Sequence, residues 1–290
     1  MHSESRFLRD TLRNLYARES GFVGFIDESY RFHREDEFPF YTVTALVMHV
    51  RDLDNYRAGY VDVAQGKRWH TTEMNKVGKQ HQIKKFIAVV AQQNQQLVIS
   101  IQLDIRDDDI EHARRECLVQ AVSRLTQLGC NLVVYERRED NKKRNADIAL
   151  FTRAKRDGFI PRNIKVFACG PSSENLLWGP DLVGWALRRY LATNESEWLE
   201  PLITMCEVID ASQEGLMTKG PRPAAAMGPG PESSVDPEGE GKRRSSHSSM
   251  SQTADGEKPI FSIFSHIMPP THNPTVLAAW LREQFPKQGT

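Results

Sequence analysis

Cysteine is scarce and scattered in this sequence. Cys117, Cys130, Cys169 and Cys206 form no C-x-x-C pair. Each lies in or beside an apolar run, where cysteine behaves as a small buried hydrophobe. A zinc ribbon or a disulfide framework is therefore disfavoured. Long apolar runs are missing as well, since none approaches the roughly 20 residues that span a bilayer. The N-terminal stretch from Met1 to Ser20 interleaves Glu4 and Asp10 with arginines and has no sustained apolar centre, unlike a secretory leader. The expectation is a cytoplasmic protein with no membrane partner. Nor is there an excess of either charge, because 38 Lys and Arg balance 38 Asp and Glu. Any grip on a polyanion must come from a local patch. The G-x-G-x-x-G, P-loop, H-E-x-x-H and G-x-S-x-G patterns are all absent, which disfavours the common nucleotide-binding, zinc-protease and serine-hydrolase classes.

What is present is a regular alternation of strand-like and helix-like segments. Residues 1–20 carry an amphipathic helical pattern through Phe7, Leu8, Leu12, Leu15 and Tyr16, broken at Gly21. Strands are predicted at 22–26, 40–48, 97–104, 132–136 and 164–168, with helices between them. Trp198 to Ile209 reads equally as a helical turn or a further strand. Strands separated by such helices imply an α/β domain over 21–212, with a five-stranded sheet covered on both faces. Only the first link is short enough for an antiparallel hairpin, so the sheet is expected to be mixed. From 213 to 258 Gly, Pro, Ser, Ala and charged residues leave little to bury, which predicts a disordered linker. A C-terminal segment, 259–290, regains apolar periodicity. It carries a short helix announced by Asn273 and Pro274.

Acidic residues at strand and helix ends are the candidate chemistry. Asp27 and Glu28 close the first strand, and Glu136 closes the fourth. In parallel neighbouring strands, such carboxylates meet at the sheet edge where α/β ligand sites lie. Carboxylates that close need protons, basic partners or a hard cation. The other reading is that they are solvated or cap the following helices. Asp181 sits in an otherwise apolar helix, so it is paired, metal-bound or at the helix edge. The first-turn position after Pro180 is favoured by the helix dipole, and Arg188 is a possible ion partner. Trp69-His70-Thr71-Thr72-Glu73 offers His70 as general base or substrate contact and Glu73 as a further ligand, or merely a threonine cap. Asp104, Asp107, Asp108 and Asp109 read as capping residues. Arg137, Arg138, Lys142, Lys143 and Arg144 form a basic run right after Glu136. It is either a solvated face or a phosphate-backbone contact.

Phe25-Ile26-Asp27-Glu28-Ser29 resembles the D-E-S motif of domain-of-unknown-function family 3800. The stretch from Trp178 to Arg189 resembles that family's Q-x-A-D-x-x-A-G-A-x-R-R helix, with Trp178 replacing the glutamine and Pro180 an alanine. Val133-Val134-Tyr135-Glu136-Arg137 stands where the family has a strand ending in an acid, usually aspartate. The resemblance covers 21–192. It implies an RNase H-like three-layer α/β/α fold in which Asp27, Glu136 and Asp181 gather around magnesium or manganese, with Glu28 or Glu73 as auxiliaries. The expected activity is a metal-dependent phosphodiester hydrolase, nuclease-like; a hydrolase of nucleotides or other small phosphates through the same acids is a further reading. The alternative is an inactive relative that binds a partner.

Overall fold

The computed structural model describes residues 2–31, 39–93, 95–103, 105–106, 109–193 and 195–212. The predicted linker, the C-terminal segment and the capping residues Asp104, Asp107 and Asp108 lie outside them. The chain is α/β and its sheet is mixed. β1 (Phe22–Arg31), β2 (Phe40–His49), β3 (Gln96–Leu103), β4 (Cys130–Glu136), β5 (Lys165–Cys169) and β6 (Cys206–Asp210) lie in the order β5-β4-β1-β2-β3-β6. That is six strands where five were expected. The segment left open between turn and strand supplies the sixth, pairing parallel to β3 from Leu97↔Cys206 to Ile101↔Asp210.

β2 pairs antiparallel with both β1 and β3, while β4 is parallel to β1 and to β5. Because β2 lies inside the sheet and is covered on both faces, it reads as a continuous apolar and threonine run without alternation. Two buried clusters flank the sheet. One joins Val23, Phe25 and Leu46 to α4 (Gln80–Gln92) and α7 (Trp178–Thr193). The other joins Ile26, Tyr41 and Val43 to α5 (Ile110–Gln127) and α6 (Asn141–Arg156). These are the two faces of each strand, separated by the alternation of successive side chains.

α1 (His2–Tyr16) belongs to the first layer, with Leu12 fully buried. A polar clamp holds its C-terminal end. Tyr16 donates to Glu174 at 2.7 Å, and Arg57, in α2 (Leu53–Val63), donates to both oxygens of Glu174 at 2.9 Å. The Arg57 guanidinium lies 5.2 Å from the Tyr16 ring centroid, a cation–π distance.

Candidate functional site

β1 continues past Asp27 to Arg31, further than the apolar pattern predicts, because β2 pairs with it along that whole length. Its pairing with β4 ends at Ile26↔Tyr135, so Asp27 and Glu136 are the next residues on each strand. Alternation turns both carboxylates to the face that α7 covers. Glu28 turns the other way. α7 comes close to the sheet at Gly184, where a Cβ would stand 3.3 Å from Thr44 Oγ1 and 3.4 Å from Ser29 Cβ. The Thr44 hydroxyl donates to the Pro180 carbonyl at 2.9 Å, fixing the helix start over β2. Asp181 follows directly.

One oxygen of Asp181 is committed. Oδ2 accepts from the Thr71 amide at 2.8 Å and from the Thr71 hydroxyl at 2.7 Å. That hydroxyl in turn accepts from Trp69 Nε1 at 2.8 Å. Thr71 is the first residue of α3 (Thr71–Lys76), so Asp181, rather than either threonine, satisfies its N-terminal amide. The other oxygen, Oδ1, lies 3.7 Å from His70 Nδ1. This ring nitrogen is buried and has no hydrogen-bond partner among the described residues. Arg188 forms no ion pair with Asp181.

Electrostatics tie the three acids together. Burial pushes the Asp27 carboxyl well above the usual range, and the charges of Asp181 and Glu136 push it further. Burial and Asp181 also raise Glu136, opposed by a side-chain hydrogen bond from Asp27 and by the nearby His70 and Arg68 charges. Burial raises Asp181, opposed by the Thr71 bonds and by His70. Asp27, buried and facing two further carboxylates, therefore favours its protonated form more than an exposed carboxyl does.

The raised Asp27 carboxyl makes stability depend on pH. A carboxyl raised on folding favours the native state fully only below its unfolded value, near 4, and loses that contribution as pH rises through the folded value. Asp27→Asn is therefore expected to melt above the wild type at pH 7, with the gap closing as pH falls toward about 4. Each kcal/mol recovered is worth roughly 2–4 °C in a domain of this size. Scanning calorimetry across pH checks this, and an asparagine variant that melts lower at pH 7 would contradict it.

Beside the acids opens a cavity of about 410 Å³. Asp27, Ser29 and Arg31 line it from alternate positions of β1. Asp181, Trp185 and Arg188 line it from one stripe of α7, and His70 and Thr72 close the side between them. A smaller recess of about 40 Å³ holds Glu136 with Arg68, His70 and Asp181. The two spaces share His70 and Asp181. Asp181 keeps 21% of its side-chain exposure, so it opens onto the cavity rather than lying sealed beneath it.

The structure places the other candidate residues as follows. Glu28 borders the cavity, but Arg114 takes both its oxygens at 2.7 Å, and Tyr41 donates to it as well. It serves as a structural anion on the far face. Glu73 is exposed and lines neither space; it acts on Asp181 only through its charge. None of Arg137, Arg138, Lys142, Lys143 and Arg144 lines either space. Arg138 is bound at 2.7 Å to both Asp147 and Glu111, and Arg144 donates to the Glu139 carbonyl at 2.9 Å. The cations that do reach the site are Arg31, Arg188 and Arg68. Of these only Arg188 was singled out in the sequence, and for a different role.

No family model, curated protein or solved structure matches the chain. No helix among the described residues is long and apolar enough to cross a membrane.

The donor chemistry of Asp27, Glu136 and Asp181 suits a hard divalent cation, which takes oxygen ligands and relieves crowded negative charge. Among the described residues, however, no group of three or more His, Cys, Asp or Glu side chains is placed so that it could hold a metal ion.

Proposed function

We propose that the protein is a phosphodiester hydrolase of RNase H-like fold, with Asp27, Glu136 and Asp181 as its catalytic carboxylates. The observation that carries the reading is the placing of Asp27 and Glu136 on one face at the ends of neighbouring parallel strands, with Asp181 of α7 lining both the cavity beside Asp27 and the recess that holds Glu136, close enough that its charge raises both. The strand order supports the fold. With β6 set aside it is 3-2-1-4-5, and β2 alone runs against the rest.

Asp27, Glu136 and Asp181 would hold magnesium or manganese once the Asp27 carboxyl loses its proton. The bound cation would lower the pKa of a water and neutralise charge on the leaving oxygen. The chain's own residues do the rest. Thr71 fixes the Asp181 carboxylate through two bonds to one oxygen, leaving the other directed toward His70 and the cavity. His70 stands at the junction of cavity and recess, where it can take or return a proton at the reacting phosphate. Trp185 and the buried wall behind it exclude water from one side of the cavity.

Purified protein is expected to cut a phosphodiester with magnesium or manganese and to stop in excess chelator. Equal cutting in chelator would refute the metal-dependent reading. A second reading, a non-catalytic pocket that binds a ligand or partner, is favoured by the lack, among the described residues, of a side-chain group that could hold a metal ion, and by Trp178 and Pro180 in the α7 motif. Cation binding without turnover on any diester would favour it.

A further inference from the structure

β1 and α7 carry the same gradient across the cavity. The β1 residues from Asp27 to Arg31 line it, acidic at Asp27 and Glu28 and basic at Arg31; on α7, Asp181, Trp185 and Arg188 do. Each element therefore begins acidic and ends in an arginine. At strand and helix rise, the acid and arginine Cα positions lie about 13 Å apart on β1 and about 10 Å apart on α7. Arg188 is exposed and has no hydrogen-bond or ion-pair partner among the described residues. Trp185 between the charged ends is held edge-on by Trp198, with ring centroids 5.2 Å apart, giving a firm apolar wall.

We infer that the arginine end of this cavity is a phosphate subsite, so that the substrate is a single-stranded polynucleotide. Its scissile phosphate sits at Asp27 and Asp181, and a neighbouring phosphate sits at Arg188. The inference rests on the hydrolase reading for the reacting end only. The spacing sets the anion at the rim apart from the one at the acids, which a substrate with a lone phosphate does not supply. A space of about 410 Å³ is within the range of small-ligand pockets and takes one nucleotide unit, not a duplex. Trp185 offers its apolar wall to the base or ribose between the two phosphates.

The test is fluorescence anisotropy of a labelled single-stranded oligonucleotide on the full chain in excess chelator, so that no metal contributes. Arg188→Ala is expected to weaken binding about tenfold. It is also expected to flatten the dependence of log K on log salt by about 0.7, the loss of one single-strand phosphate contact. Calorimetric melting confirms that the variant is folded. Duplex of the same sequence is expected to bind more weakly than the single strand, and inorganic phosphate is expected to compete only at millimolar levels.

An unchanged affinity and salt slope in Arg188→Ala overturns the subsite, as does absence of single-strand binding in the wild type. Equal binding of duplex overturns the choice of strand. Arg188-dependent binding without hydrolysis under magnesium or manganese sinks the hydrolase reading and leaves the subsite standing. Hydrolysis with Arg188-independent binding does the reverse.

Discussion

Replacing Asp181 by asparagine is expected to lower phosphodiester cleavage by about three orders of magnitude, some 4 kcal/mol of transition-state stabilisation. Asparagine matches the shape of aspartate and can still accept from the Thr71 amide and hydroxyl, so α3 and α7 should stay docked. What disappears is a negative charge aimed through Oδ1 at His70 and the cavity. Because burial already penalises that charge, the folded protein loses nothing by its removal. Activity and stability should thus part company, with cleavage collapsing and the melting temperature holding or rising. Initial rates on an oligonucleotide and scanning calorimetry on the same preparation read both. Cleavage within tenfold of the wild type would remove Asp181 from the chemistry.

Arg114→Met is expected to do the opposite kind of damage. The side chains of Arg114 and Asp147 are 3% and 1% exposed, and Glu28 is 17% exposed. Arg114 joins Glu28 to Asp147, and Arg138 carries the network on to Glu111. Removing the central cation leaves two buried carboxylates without it, a loss of about 3–5 kcal/mol in such settings. The melting temperature should fall by at least about 6 °C. Because β1 carries Glu28 on one face and Asp27 on the other, the variant also tests whether the far-face network steadies the acidic site. Melting within 2 °C or so of the wild type would show that methionine packing compensates for the lost charge.

Much of the architecture was legible because it rests on local pattern. Strand alternation, helical stripes and the glycine after α5 placed the main helices and four of five strands close to their observed bounds, while β1 runs on to Arg31. The sixth strand was not legible. Cys206–Asp210 is short and only half-buried, and it is a strand because β3 offers an edge, which is a tertiary fact. The association of Asp27, Glu136 and Asp181 followed from strand-end position together with the motif resemblance. The division of labour between Asp27 and Glu28 could have been read from the period of two, which sends adjacent residues to opposite faces. The same period runs on to Ser29 and Arg31, and the helical repeat from Asp181 runs on to Trp185 and Arg188. The Thr71 clamp left no trace in the sequence, since nothing local links two residues that far apart in the chain. The run from Arg137 to Arg144 misled for a related reason. Proximity to Glu136 in sequence hid the turn that carries it into α6, on the other layer.

Manganese titration calorimetry on the wild type and on Asp27→Asn bears most directly on the acidic cluster. The wild type is expected to bind at millimolar metal or below and to release protons as it does so, because the Asp27 carboxyl is raised in the free protein. The asparagine variant should bind far more weakly and release fewer. Absence of binding by the wild type at several millimolar, or identical isotherms for the two proteins, would contradict a cation site built on these carboxylates.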